Sequence, residues 1–369
     1  MSSVATETRT TGAGAPKPSA PSGRKRIAKL FATQQLQIVF VLLVIYAIFA
    51  IMRPETFPTL YNLRGIVVNT SILAVLGAGM TLVIITGGID LSVGSVLVFS
   101  GVIASKTMVA AGGQGWGVAA LGVVVACACG LGWGLLNGVL IAKLNIPPLI
   151  VTLGTLGMAL GFSQIITKGV DLRDAPDVLV NNIGFGNVFG QVPWISVIAL
   201  VVVILVGILL HRSRWGLHVF AIGSNAEAGR RVGLKVDRQL IGVYALAGLL
   251  AGFAGILNLV FYQSTTIGGQ TQTNLNVIAG VVIGGTSLFG GVGTIFGTII
   301  GLFIPAVLQN GFVILGVQPF WQQVVVGAVL IAAVYADQTR RARALRGGHS
   351  RGFRFPFLSS RSTPTKEQS

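Results

Sequence analysis

Charge is what this chain has least of. Only 10% of its 369 residues are Asp, Glu, Lys or Arg, where soluble domains carry about 25%. Acids are scarcest, ten in all. With 53% hydrophobic residues and a mean hydropathy of +0.81, that scarcity excludes an ordinary soluble enzyme and a disordered chain. The two cysteines, Cys127 and Cys129, are too few for a disulfide scaffold. They lie two apart in an apolar run, so a helix points them to different faces, and buried packing accounts for them. Three scattered histidines, His211, His218 and His349, give no metal-site spacing. None of the eight lysines completes a Gly-x-x-x-x-Gly-Lys-Ser/Thr loop, so the chain holds no nucleotide by that device. Paired acids and nucleophile–base sets are missing too, which argues against a membrane enzyme.

What is present is apolar length. A membrane span needs about 20 apolar residues, and ten runs qualify: 35–52, 63–86, 91–111, 116–142, 147–167, 193–210, 239–261, 274–286, 292–312 and 320–336. The eighth is the shortest. The expected fold is all-α and polytopic. The basic residues explain the orientation. Of 26 Lys and Arg, six lie in 1–34, eight in 337–369, six in 211–238, and Lys143 stands alone between two spans. Ten spans with a cytosolic N-terminus put all 21 of these on the cytosolic side, as the positive-inside rule requires. An odd number would expose one basic tail. The net charge of +16 is thus a topology signal that also suits anionic lipid heads, not a nucleic-acid footprint. The chain divides into a basic tail over 1–34, a membrane domain over 35–336 and a second basic tail over 337–369, both tails cytosolic and too polar to fold.

Glycine is abundant, 51 residues, about twice the usual share of roughly 7%. Gly130-x-Gly132-x-Gly134-x-x-x-Gly138 and Gly293-x-x-x-Gly297-x-x-x-Gly301 suit close helix packing. Two further clusters suit helix breaks: Gly87, Gly88, Ile89, Asp90, Leu91, Ser92, Val93, Gly94 and Ser95; and Gly284, Gly285, Thr286, Ser287, Leu288, Phe289, Gly290 and Gly291. An ungapped overlay offset by 197 matches Gly87 with Gly284, Gly88 with Gly285 and Leu91 with Leu288, which suggests an internal repeat. The span count gives its copies one orientation. Breaks within a membrane are tolerated where they line a cavity or are buried in protein. Asp90 is the one acid inside the hydrophobic body, so it is either a functional group or a cap of the next helix near a membrane surface. Other polar residues within spans are Asn69, Thr70, Ser71, Asn137, Thr152, Thr155, Gln164, Asn258, Asn274, Asn276, Gln309 and Asn310. A path with such lining and no fixed charge suits a neutral polyhydroxyl solute.

Residues 211–238 form the longest internal loop. Ser224 or Asn225 caps a helix of about two turns, Glu227 lies in its first turn, Arg230 and Arg231 follow, and Gly233 ends it. It is either a partner-docking helix or a membrane-surface helix held by its arginines. Its core, Glu227-Ala228-Gly229-x-x-x-Gly233, resembles the Glu-Ala-Ala-x-x-x-Gly loop by which bacterial ABC importer permeases engage their ATPases. It carries Gly229 for Ala and lacks the downstream Ile-x-Leu-Pro half. The fuller string Ala221 to Ala228 is similar to the loop of the ribose-type monosaccharide permeases, as are the strings Gly87–Gly94 and Gly284–Gly291.

That resemblance implies a permease subunit of an ABC sugar importer in the bacterial cytoplasmic (inner) membrane. It implies a pair of such subunits, as a homodimer or with a close paralogue. It further implies ATPase subunits that bind ATP and Mg on the cytosolic side, and an extracytoplasmic sugar-binding protein delivering a pentose or hexose. This chain itself would carry no cofactor and no catalytic residue. The coupling residues would be Ser224, Asn225, Glu227, Ala228, Gly229, Arg230, Arg231 and Gly233, which pass ATPase closure to the flanking spans 193–210 and 239–261. The path or gate would comprise Gly87, Gly88, Asp90, Ser92, Gly94, Ser95, Gly284, Gly285, Thr286, Ser287, Gly290, Gly291, Asn137 and Asn310. The alternatives are an ABC permease for branched-chain amino acids or another small polar solute, and a secondary sugar carrier. The carrier is disfavoured because ion coupling usually takes several intramembrane charges.

Overall fold

Helix α1 (Gln34–Met52) starts the computed structural model, which describes residues 34–268 and 271–348. It is followed by α2 (Leu60–Ile85), α3 (Val93–Ala110), α4 (Trp116–Lys143) and α5 (Pro148–Thr167). A helical turn at Asp177–Leu179, a π-turn at Val180–Gly184 and a two-residue hairpin, Asn187–Val188 with Val192–Pro193, lead into α6 (Trp194–Arg212). Two short helices come next, α7 (Arg214–Ser224) and α8 (Ala226–Arg231). The chain then forms α9 (Val236–Tyr262), α10 (Thr271–Ile283), α11 (Ile295–Ile314) and α12 (Pro319–Gly348).

Among the described residues nine helices are long and apolar enough to cross a membrane. The tenth expected span is α10, whose 13 residues reach only about 20 Å, against a hydrocarbon core of about 30 Å. It begins before residue 274 and stops at Ile283, because Gly284–Thr286 turn the chain instead of extending the helix. The helix of the last span does not stop at 336. Its backbone continues to Gly348, into the segment that composition assigns to a tail. The rest of both tails, 1–33 and 349–369, lies outside the described residues.

The centre is built on α2 and α9. Their most apolar windows are 89% and 67% buried, against 11% for α1. The outer helices present Phe40, Leu43, Leu153, Ile165, Leu205 and Ile331 outward, as lipid-facing surfaces do. Helices pack most closely where glycine meets backbone. Gly130, Gly134 and Gly138 of α4 lie on Gly248, Tyr244 and Ile241 of α9, and a Cβ at Gly130 or Gly134 would overlap a carbonyl oxygen there. Gly132 faces open space. Gly297 and Gly301 of α11 lie on Gly284 and Gly280 in the same manner, whereas Gly293 sits in the preceding turn.

The connections separate into two ends. At one, Lys143 bridges Asp237 at 3.5 Å and Arg230 bridges Asp237 at 3.1 Å. Gln239 holds the Trp215 carbonyl at 2.9 Å, and Ser287 donates to Asp337 at 3.1 Å. Gln37 of α1, Ile283 and Asp337 share one cavity at that end. At the other, Arg64 meets Gln191 at 2.7 Å, and Asp171 accepts from the Ile267 amide at 2.7 Å. The segment 211–238 and Lys143 therefore occupy one end, and Asp171, Asp174 and Asp177 lie with the connections of the other, as the charge sorting requires.

Candidate functional site

The first glycine cluster begins as a helix stop. Gly87 takes φ +82°, its amide donates to the Ile84 carbonyl at 2.9 Å, and that of Gly88 donates to Val83 at 3.1 Å. This is a Schellman ending. Gly285 at φ +94° repeats it, with bonds from Gly285 to Val282 at 2.9 Å and from Thr286 to Val281 at 3.2 Å. The equivalent residues are thus Gly87 and Gly285, one position off the ungapped overlay. Both helix ends lie at one end of the molecule, so α2 and α10 run parallel. Beyond the stops the copies differ. Residues 287–292 fold into a tight turn, with Ser287 donating to Val292 at 3.0 Å and Gly290 to Ser287 at 3.0 Å.

After Gly87 the chain re-enters the bundle as non-helical backbone. The Ile85 carbonyl accepts from the Gly291 amide, just beyond α10, at 2.8 Å. The Gly94 amide donates to Asn274 Oδ1, near the start of α10, at 2.7 Å. Those two points are about 15 Å apart along α10 at its helical rise. Backbone without a helix must find partners inside the protein at this depth, and named side chains supply them. Thr152 Oγ1 donates to the Ile89 carbonyl at 3.2 Å and Asn274 Nδ2 to that of Leu91 at 2.7 Å. Asp90 Oδ1 accepts from the Ser92 amide at 2.8 Å and its hydroxyl at 2.6 Å. Asn137 Nδ2 donates to Ser92 Oγ at 2.9 Å. The Tyr244 hydroxyl packs on Gly88, where a Cβ would overlap it.

Asp90 is therefore not the cap of α3. It is 1% exposed and closes an Asx turn before the helix. The N-cap residue, Ser92, makes no capping bond of its own, and Asn274 caps α3 from across the bundle. Gly94 and Ser95 form the first turn of α3. Asp90→Asn keeps an acceptor for both Ser92 donors. Transport should stay within about threefold of wild type, whereas Asp90→Leu orphans both and should lose about tenfold or more. Uptake assays of the two variants check this.

The second assembly is a backbone junction. Gly223, in the last turn of α7, lies against the Ile85 carbonyl, which a Cβ would overlap, and 2.7 Å would separate that Cβ from the Gly291 amide nitrogen. Gly290 approaches the Gly223 carbonyl and the Gly87 nitrogen, and Gly291 approaches Ser224. The ends of α2 and α7 and the turn that follows α10 thus meet at one point. The segment read as a loop is largely helical. Ser213 caps α7 by accepting from the Gly216 amide at 3.0 Å, and Val219 and Ile222 bury its inner face. Asn225, rather than Ser224, caps α8, with Oδ1 accepting from Ala228 at 2.9 Å. Ser224 Oγ donates instead to the Phe220 carbonyl. Gly233 ends α8 at φ +87°. Asn225, Ala226, Glu227, Ala228, Arg230 and Arg231 are exposed, and Gly229 alone of α8 is buried. Glu227 pairs with Arg231 at 3.3 Å.

The remaining candidates fall apart spatially. Thr286 is buried with its hydroxyl unpaired among the described residues. Asn137, on α4, bonds the re-entrant segment at Ser92, and Asn310 is half-buried. Neither lines the polar cavity. That cavity, 210 Å³, is lined by Asn69, Asn258, Gln272, Asn276 and Gln309 with Leu97 and Tyr262. Sequence reasoning marked those asparagines and Gln309 without separating them from the rest. It missed the role of Gly223, whose signal was a glycine beside a cap, and that of Tyr244, which had none.

Comparisons with known proteins all find permease components of transport systems. Residues 62–334 match the family described as branched-chain amino acid transport system / permease component. The chain is 37% identical to the ribose import permease protein of Escherichia coli strain K12 over 87% of this chain and 98% of that one. It is 34% identical to the galactose/methyl galactoside import permease protein of Salmonella typhimurium, over 83% and 94%. It is also 34% identical to the fructose import permease protein of Rhizobium meliloti, over 79% and 81%. No solved structure matches it.

Proposed function

The chain belongs to the permease-component family of the branched-chain amino acid transport systems, and from that premise we propose that it is the membrane permease subunit of an ABC importer for a monosaccharide. Its named relatives import ribose, galactose or fructose. The family's description points to amino acids instead. Against that, the cavity lining bears, among the described residues, no charged side chain to pair with the two charges of a zwitterion. The observation that carries the mechanism is the junction at Gly223, which ties the exposed helix α8 to both glycine breaks.

The working cycle is alternating access. A separate ATPase subunit, which binds ATP and Mg, grips α8 through Glu227 and Arg230. Its closure moves Gly223 and Ser224 against the end of α2 and the turn that follows α10. Those helices act as rigid levers, because their far portions carry Asn69 and Asn276 into the cavity. The re-entrant segment 88–92 lies between cavity and junction and serves as the gate. Two permease chains pair, an extracytoplasmic binding protein delivers the sugar, and the basic end with both termini faces the cytosol of a bacterial inner membrane. Proteoliposomes holding the chain with its ATPase and binding protein should take up at least one of radiolabelled ribose, galactose and fructose when ATP is enclosed with the ATPase. Uptake of leucine but none of the three sugars would overturn the monosaccharide assignment.

A further inference from the structure

We infer that the cavity between α2, α9, α10 and α11 is the place where the neutral sugar is held in transit, with Asn276 and Gln309 as the residues that read its hydroxyls. This rests on the permease reading above. The lining is unusual for the interior of an apolar bundle. Asn69 comes from α2, Asn258 from α9, Gln272 and Asn276 from α10 and Gln309 from α11, so four helices converge their amides on one space of 210 Å³. A second space of 170 Å³ adjoins it, shares Gln272, Asn276 and Gln309, and adds Gln322 and Gln323 from α12. Among the described residues neither lining includes Asp, Glu, Lys, Arg or His.

Primary amides both donate and accept, which is the requirement for binding a ring of hydroxyls that also do both. An ion placed there would lose its hydration without a countercharge. Asn276 gives the sharper indication. It is 6% exposed, yet its Oδ1 has no hydrogen-bond partner among the described residues. Buried polar atoms are nearly always paired, so an acceptor left open in a polar cavity is one kept for a donor that comes and goes. Two residues earlier, Asn274 faces the other way and is fully used in capping α3. Asn258 already donates to Thr266 at 3.0 Å, which fixes the wall opposite. Gln272 and Asn276 lie one turn apart on the same face of α10, so a shift of α10 at the junction alters both amides together.

The test uses the assembled importer in proteoliposomes and the sugar of the uptake panel that it moves fastest. Asn276→Leu and Gln309→Leu should each lower uptake by about tenfold. They should also erase the preference for that sugar over at least one of its monodeoxy analogues, an effect that general misfolding would not produce. Gln309 is only half-buried, so its variant assembles even if the buried change at 276 does not. Wild-type uptake in Gln309→Leu, or equal losses for the sugar and every deoxy analogue, would overturn the site while leaving the permease reading intact. A wild-type complex that moves no monosaccharide would overturn the reading itself and the site with it.

Discussion

Gly223→Ala should reduce ATP-driven sugar uptake to less than about one-tenth of wild type while the ATPase still binds. One methyl group is enough because of where it would stand. Its carbon would overlap the Ile85 carbonyl oxygen and press on the Gly291 amide nitrogen, the two atoms joined by the 2.8 Å bond between the breaks. Both partners are backbone, so no side chain can rotate away. Overpacking of this kind costs about 1–3 kcal/mol. Applied at a junction that must take two arrangements, such a bias changes their ratio by about five- to 150-fold. The exposed face of α8 is untouched, so docking should survive. Gly229→Ala is the matched control. A Cβ there meets Leu234 at 3.4 Å, an ordinary contact, and φ at 229 is not positive. That variant should transport normally and hold its helix about 0.5–1 kcal/mol better. Uptake and ATPase co-purification, measured for both, separate a blocked junction from a general sensitivity of this segment.

Glu227→Lys should abolish uptake by a different route, again by more than about tenfold. Within the chain, Glu227 touches only exposed charge. Its bridge to Arg231 leaves the two side chains 66% and 78% exposed, and such i,i+4 pairs contribute about 0.3–0.5 kcal/mol. The subunit should therefore insert and accumulate as wild type does. The residue's larger role is as the one acid on α8, beside Arg230 and Arg231, on a face left exposed among the described residues. Reversing its charge leaves α8 uniformly basic and removes an attraction that a partner built for a mixed face would use. The two variants break different links: here the ATPase should dissociate more readily, whereas at Gly223 it should stay bound and act without effect.

The long helices were legible because apolar length is a local property. So were the cap, first-turn acid and terminal glycine of α8, each within a few residues of the next. α7 was within reach: Ser213 before Arg214, with Trp215, Val219 and Ile222 at helical spacing, is an N-cap and an apolar face. The basic residues between them hid it, because the segment reads first as a charged loop. The re-entrant course of 88–92 was not legible. Its partners Thr152 and Asn274 lie 63 and 183 residues from the carbonyls they serve, and a span count has no place for a crossing whose first part is not helical. Asp90 illustrates the consequence. An acid before a helix looks like that helix's cap, but α3 takes its cap from α10, and Asp90 is left to shape the turn.

The central claim is that α8 drives the glycine breaks through Gly223. It is tested most directly by the ratio of sugar imported to ATP hydrolysed, measured in the same proteoliposomes for wild type and Gly223→Ala. A ratio that collapses in the variant while hydrolysis and ATPase binding persist is the predicted result. A variant that hydrolyses ATP and imports sugar at the wild-type ratio would contradict the account.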